Sequence, residues 1–172
     1  MLRRTFLVIG AVVAAVGQRL RGQTRENLNQ MANRQLDATP YKSAEIMGME
    51  SADLVQLLDD PDSSEFARAK ACQRLAVVGD EAAVPSLARL LSDSKLSHYA
   101  RTALEPMPGK SVDQALREAL GSLDGGLLIG VINSIAWRRD HGALGALARL
   151  RHGDDAQVAA AATWAINRIR RP

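Results

Sequence analysis

Four short segments that each begin with Leu decide how this chain folds. They are residues 54–57 (LVQL), 87–90 (LARL), 116–119 (LREA) and 147–150 (LARL). Their first residues are separated by 33, 29 and 31 positions, which is the period of proteins built from repeated pairs of helices. The chain is therefore predicted to contain about four copies of one structural unit.

A second series of apolar residues keeps the same register in the other half of each unit. Its members are Ala71 with Leu75, Ala100 with Leu104, Val131 with Ile135, and Ala162 with Ile166. Residues four positions apart lie on one face of an α-helix, so each pair indicates the buried stripe of a second helix. Polar turns such as 59–62 (DDPD) and 153–155 (GDD) separate the two helices of a unit.

Residues typical of helix ends agree with this division. Asp80, Ser111 and Asp140 are predicted to be the N-caps of the first helices in the second, third and fourth units. Gly79 and Gly109 are predicted to stop the helices that precede them. Each unit is thus expected to be a helical hairpin with its own boundaries.

The composition favours helices packed against helices. Hydrophobic residues make up 47% and charged residues 24% of the chain, as in an ordinary folded domain. The chain has only two Phe, two Tyr and two Trp, so its core must consist mainly of Ala, Leu, Val and Ile. Such side chains suit closely approaching helices better than a β-sandwich. The predicted fold class is all-α, a short right-handed α-solenoid of about four antiparallel helix hairpins.

The repeat resembles HEAT repeats, and its unit of roughly thirty residues is closest to the HEAT-like repeats of phycobilin lyases. Segments 95–108 (KLSHYARTALEPMP) and 130–140 (GVINSIAWRRD) also resemble uncharacterised exported bacterial HEAT-repeat proteins. The resemblance covers about residues 52–169. It implies an armadillo-type superhelix, and it implies no single activity.

The first 17 residues are predicted to be a signal peptide. Arg3 and Arg4 precede an apolar run over 5–17, which is too short to span a bilayer. Gly17 completes a pattern of small residues that a signal peptidase accepts. Residues 3–7 (RRTFL) resemble the twin-arginine signal, so that route and general secretion both stay open. The protein is predicted to be exported, periplasmic or extracellular, without a stable membrane span after cleavage.

The rest of the chain is predicted to have two parts. Residues 18–47 are a polar linker or a weak N-terminal helix, because the segment is rich in Asn and Gln and Pro40 interrupts it. A helix over 25–36 would have only a thin apolar stripe. Residues 48–172 are predicted to form the HEAT-like repeat domain.

The charge balance gives no reason to expect nucleic acid as a partner. The net charge of +3 includes Arg3 and Arg4, and without them 20 basic residues face 19 acidic ones. A few arginines spread over helices do not make the basic stripe that nucleic acid requires. The single Cys72 has no partner for an intramolecular disulfide and is predicted to be a small buried apolar residue.

The second helices of such a stack are expected to line a concave surface that binds another protein. The candidate partner-binding residues are His98, Arg101, Glu105, Asn133, Trp137, Arg138 and Arg139. For each of them a purely structural role also stays open, since charged residues pair along helices and cap helix ends. Trp137 is the aromatic residue expected to contact a partner, whereas Trp164 is expected to pack among neighbouring alanines. Arg138 is expected to lie at an exposed position, where replacement by Ala would change stability little.

No familiar catalytic motif occurs in the sequence. Metal-dependent hydroxylases built from HEAT repeats carry His-Glu pairs, but here the three histidines are followed by other residues: His98 by Tyr99, His141 by Gly142, and His152 by Gly153. No metal or cofactor is predicted. The predicted function is a non-catalytic protein–protein interaction scaffold or adaptor of the bacterial cell envelope. The alternatives are a lyase-like or otherwise unrecognised enzyme or chaperone, and a structural accessory whose ends stack on other repeats.

Overall fold

The computed structural model describes residues 43–171, and every regular element in that range is helical. The helices are α1 (Ser43–Met47), α2 (Ser51–Asp59), α3 (Glu65–Val78), α4 (Val84–Arg89), α5 (Ser97–Leu104), α6 (Lys110–Ala119), α7 (Gly125–Arg138), α8 (Leu144–Leu150) and α9 (Ala156–Arg170). Short 3-10 turns at Glu81–Ala83, Leu90–Ser92 and His141–Ala143 adjoin α4 and α8. The predicted all-α class is confirmed.

The helices contact one another in the order of the predicted units. Helix α2 contacts α3, α4 contacts α5, α6 contacts α7, and α8 contacts α9. The second helices α3, α5, α7 and α9 also contact each other in chain order, as do the first helices α2, α4 and α6. One cluster of buried apolar residues runs through all these helices.

The core consists of the apolar residues that recur in the sequence. Leu54, Leu87, Leu116 and Leu147, one from each first helix, have no exposed surface. The series from the second helices is buried as well: Ala71, Leu75, Ala100, Leu104, Val131, Ile135, Ala162 and Ile166. Burying each leucine or isoleucine contributes about 1.5–3 kcal/mol, whereas the alanines let neighbouring backbones approach closely. The predicted buried positions are thus confirmed.

Two of the three predicted N-caps are confirmed. The Asp80 carboxylate accepts a hydrogen bond from the Ala82 N–H, and the Asp140 carboxylate accepts one from the Gly142 N–H. Each of them begins the 3-10 turn that leads into a first helix.

The prediction for Ser111 is wrong. Gly109 is the N-cap of α6, with a φ of 116°, so Ser111 already lies inside the helix and its Oγ has no hydrogen-bond partner. A positive φ is open to glycine without steric cost, which lets the helix begin earlier than the serine suggests. Gly109 therefore begins α6 and does not stop α5, which ends at Leu104, whereas Gly79 is the C-cap of α3 as predicted.

The packed domain includes residues from the predicted linker. Helix α1 contacts α3, and Ile46 has no exposed surface. The Arg74 Nε of α3 donates a hydrogen bond to the Met49 carbonyl at 3.3 Å, which holds the turn after α1. The predicted signal peptide at 1–17 and the linker up to residue 42 lie outside the described residues. Within 43–171, no helix has both the length and the hydropathy that crossing a bilayer requires.

Candidate partner-binding surface

Arg138 of α7 is turned into the protein. Its side chain is 11% exposed, and its Nε donates a hydrogen bond to the Asp113 Oδ1 at 2.6 Å. Its Nη1 donates to the carbonyls of Leu104, Glu105 and Met107 at 3.2, 2.9 and 2.6 Å. These carbonyls lie at the last residue of α5 and just beyond it, where a helix leaves its last acceptors without internal partners. The expectation of an exposed Arg138 is therefore wrong, because the guanidinium caps the preceding second helix.

Arg101 and Glu105 also bind inside the protein. The Arg101 Nη1 donates to the Gly130 carbonyl at 3.1 Å, and the Ser134 hydroxyl donates to the Glu105 Oε1 at 2.7 Å. A Cβ on residue 130 would stand 2.7 Å from the Arg101 guanidinium, so any other residue would require that guanidinium to shift. Burial lowers the pKa of Arg101, and the Glu105 carboxylate opposes that effect. These contacts join α5 to α7.

The remaining four candidates face solvent. Asn133, Trp137 and Arg139 are exposed at or near the end of α7, and the Trp137 side chain is 53% exposed. His98 is exposed at the start of α5, and its ring meets the Tyr99 ring edge-on at a centroid distance of 5.7 Å. Of the seven predicted residues, Arg101, Glu105 and Arg138 thus join α5, α6 and α7 through internal contacts, whereas the other four are exposed.

Trp164 is exposed as well, so the expectation that it packs among alanines is wrong. Its side chain is 52% exposed, while Ala162 and Ala165 on the same helix are fully buried. Trp164 stands 31 residues after Asn133, one repeat interval further along the chain, and both residues are exposed. Because the alanines already occupy the contact face of α9, the indole ring lies outside it. Both tryptophans are therefore about half exposed, and they lie on two helices that contact each other.

A basic cleft lies beside Trp164. Its volume is about 260 Å³, and its lining consists of Arg139, Trp164, Asn167, Arg168 and Arg171. The Arg139 Nη1 donates to the Arg171 carbonyl at 3.1 Å, which ties the end of α7 to the end of α9. None of the four ion pairs among residues 43–171 includes an arginine of this cleft. We call Trp137 together with the five lining residues the Trp/Arg surface.

Sequence reasoning named only Trp137 and Arg139 of this surface as partner-binding residues. The repeat interval could have indicated the other residues. Trp164 lies 31 residues after Asn133, and Arg168 lies 31 residues after Trp137, so each pair occupies equivalent positions in successive units. Exposed positions recur in the same register as buried ones. A comparison of the exposed columns would therefore have indicated α9 as part of the surface.

Metal-ligating side chains and the single thiol are the remaining candidates for chemistry. Among residues 43–171, no three His, Cys, Asp or Glu side chains come together as metal ligands would. Cys72 is fully buried, and burial raises its pKa to about 12. The thiol is therefore protonated at neutral pH, as expected of a small apolar core residue and not of a nucleophile.

No protein-family model, curated protein or solved structure matches the chain significantly.

Proposed function

We propose that this protein is a non-catalytic scaffold or adaptor that binds another protein through the Trp/Arg surface. The observation that carries the proposal is the exposure of both Trp137 and Trp164, on the contacting helices α7 and α9. Tryptophan and arginine are the residues most enriched at energetically important positions of protein interfaces. Isolated apolar residues are common on any surface, whereas the cleft brings Trp164 and three arginines together, and Trp137 is exposed on the helix that contacts α9.

We also propose that the four helix pairs form a right-handed solenoid of the HEAT-like, armadillo type. Support comes from the consecutive contacts of the second helices and from the single apolar cluster that passes through all units. In a solenoid each repeat packs only on its neighbours, and the second helices together present a long surface. The Trp/Arg surface would then occupy the C-terminal part of the concave side.

The outer face of α9 favours a partner on the side of the stack over end-on stacking at this end. Ile132 and Ala136 in α7 are fully buried, and the residues 31 positions later are Thr163 and Asn167, both exposed. The last unit therefore replaces buried apolar positions with polar ones. Repeat proteins use such polar terminal units to remain soluble. A structural accessory that stacks through its ends would need apolar residues there.

No observation favours the lyase-like or enzymatic alternative. The single thiol, Cys72, is buried with a raised pKa, so it does not fit the role of a covalent attachment site or nucleophile. Export to the cell envelope remains part of the proposal on the strength of residues 1–17 alone.

The proposal is tested by affinity capture from the organism's envelope extract with the full chain as bait. The informative variant is the double replacement Trp137→Ala, Trp164→Ala, which removes both exposed rings without touching the core. Val77→Ala is the matched control, because Val77 is an apolar residue 76% exposed on α3. We expect a protein that the wild type and the control retain and that the double variant loses. That protein must then bind the purified chain directly in a calorimetric titration. Retention by all three baits would place the interface elsewhere.

A further inference from the structure

Helix α7 ends in a backbone motif that normally requires glycine. The Asp140 N–H donates to the Ile135 carbonyl at 3.2 Å, and the Arg139 N–H donates to the Ala136 carbonyl at 3.3 Å. This pair of bonds is a Schellman motif, in which the residue after the C-cap adopts a left-handed conformation. Arg139 occupies that position with φ 55° and ψ 40°.

Arg139 is therefore held in a strained conformation. It is the single non-glycine residue with a positive φ among residues 43–171. A side chain in the left-handed region brings its Cβ close to the following carbonyl oxygen, which glycine avoids. The side chain of Arg139 gains one hydrogen bond, to the Arg171 carbonyl at an exposed site. Such a bond replaces one with water and contributes little net stability.

The cleft explains why position 139 carries an arginine and not the glycine that its backbone conformation favours. Arg139 reaches this cleft from the end of α7, whereas Arg168 and Arg171 reach it from α9. Three arginines line this one cleft of about 260 Å³, and its five lining residues, all within the described part of the chain, include no Asp or Glu. Trp164 supplies an apolar wall to the same cleft. Backbone strain at a position that lines a cleft is typical of binding sites.

We propose that this cleft binds a carboxylate-bearing segment of the partner protein and that Arg139 determines this specificity. The inference rests on the function proposed above and adds the chemistry of the partner. Guanidinium groups pair with carboxylates in a planar, two-bond geometry, and the Trp164 ring can cover an apolar residue beside the acid. The partner segment is thus an acidic peptide that contains an apolar or aromatic residue.

An acidic peptide fits the cleft better than a nucleic acid does. Nucleic acid binding needs a basic track that follows many phosphates. On the α5 and α7 faces next to the cleft, Arg101 and Arg138 are occupied by internal partners. The exposed residues of these two helices are His98, Thr102, Gly126, Asn133 and Trp137, and none of them is a lysine or an arginine.

The replacement Arg139→Gly separates binding from folding. Glycine relieves the left-handed conformation, so we expect the Tm of the full chain to equal or exceed that of the wild type. The same change removes one guanidinium from the cleft, so acidic peptides should bind at least about tenfold more weakly. Arg168→Gln removes a second guanidinium from the cleft without touching the left-handed backbone at Arg139, and it should weaken the same peptides. Arg149→Gln, an exposed arginine on α8 outside the cleft, is the matched control.

The probe is a library of random phage-displayed dodecapeptides selected on the full wild-type chain. We expect enrichment of peptides that contain Asp or Glu beside an aromatic or apolar residue. Enriched peptides without acidic residues, lost with Trp137→Ala and Trp164→Ala, would overturn the inference and leave the proposed function intact. Failure to enrich any peptide would count against both. A lower Tm of Arg139→Gly, or unchanged affinity for the acidic peptides, would also overturn the inference. Tighter binding of a single-stranded oligonucleotide than of any selected peptide would do the same.

Discussion

The Nε of Arg138, in the last turn of α7, donates a hydrogen bond to the Oδ1 of Asp113 in α6 at 2.6 Å. This ion pair connects the two helices of one unit. The Nη1 of the same guanidinium donates to three carbonyls at and just beyond the end of α5, which belongs to the preceding unit. One side chain therefore holds two neighbouring units in register, and a cation suits the negative end of the α5 dipole.

Arg138→Ala is expected to lower the free energy of unfolding by about 2–4 kcal/mol. The change removes one partner of a largely buried ion pair and leaves the α5 carbonyls without their donor. Urea denaturation followed by circular dichroism measures the loss. Arg168→Ala, an exposed arginine with no ion-pair partner among the described residues, should change stability by about 0.5 kcal/mol or less. Equal effects of the two replacements would contradict the capping role.

Gly130→Ala is expected to destabilise the protein by about 1–2 kcal/mol, although alanine is the better helix former. The new Cβ would stand 2.7 Å from the Arg101 guanidinium and would force that half-buried side chain away from the Gly130 carbonyl. Gly126→Ala is the matched control on the same helix, because nothing lies within 4 Å of its Cβ. The control should gain up to about 1 kcal/mol from helix propensity. Thermal melts of both variants decide the prediction, and a stabilised Gly130→Ala variant would refute it.

Leu104→Ala and Ile135→Ala are each expected to cost about 2–4 kcal/mol. Both side chains are fully buried, and each replacement leaves a cavity in the contact between successive second helices. Val77→Ala removes an exposed apolar side chain and should cost about 0.5 kcal/mol or less. Denaturant midpoints of the three variants provide the comparison. A small loss for either buried residue would mean that the wrong face of its helix was assigned to the core.

Cys72 is expected to resist a thiol reagent such as DTNB at pH 8 and to react once the chain is unfolded in urea. The native thiol is buried and its pKa is raised to about 12, so almost no thiolate is present. Rapid labelling of the native protein would contradict this expectation, because it would show that the packing of α3 around Cys72 opens readily.

The same pKa predicts a loss of stability in alkali. Because the pKa of Cys72 in the folded protein lies above its ordinary value of 9.0, the contribution of Cys72 to stability is fully present below pH 9. It is lost as the pH rises from 9 towards 12, at about 1.4 kcal/mol per pH unit. The difference in unfolding free energy between the wild type and Cys72→Ala isolates this contribution, since all other groups titrate in both. A difference that stays constant over this range would contradict the raised pKa.

The internal period of the sequence was enough to predict the helical units and their buried residues. Leu54, Leu87, Leu116 and Leu147 are buried because apolar side chains at helical spacing can leave water on only one face. The caps Asp80 and Asp140 were predictable for a similar reason, since their hydrogen bonds reach only two residues along the chain. Ser111 was not, because the neighbouring Gly109 could begin the helix as well.

The candidate site was predicted only in part, because long polar side chains do not reveal their direction in a one-dimensional pattern. Arg138 and Arg139 are neighbours in the sequence, yet one is buried against α5 and the other is exposed beside Trp164. The partners that decide between these outcomes, such as the carbonyls that bind Arg138, lie about thirty residues away.

The sequence by itself determined the class of fold, the length of the unit and the core positions, because these depend on local periodicity and on the removal of apolar surface from water. The tertiary structure decided which arginines hold the units together and which remain open to a partner. Those roles depend on carbonyls and side chains that only the packing of successive second helices brings within hydrogen-bond distance. Arg101 meets the Gly130 carbonyl across that contact, and Arg138 meets the Met107 carbonyl.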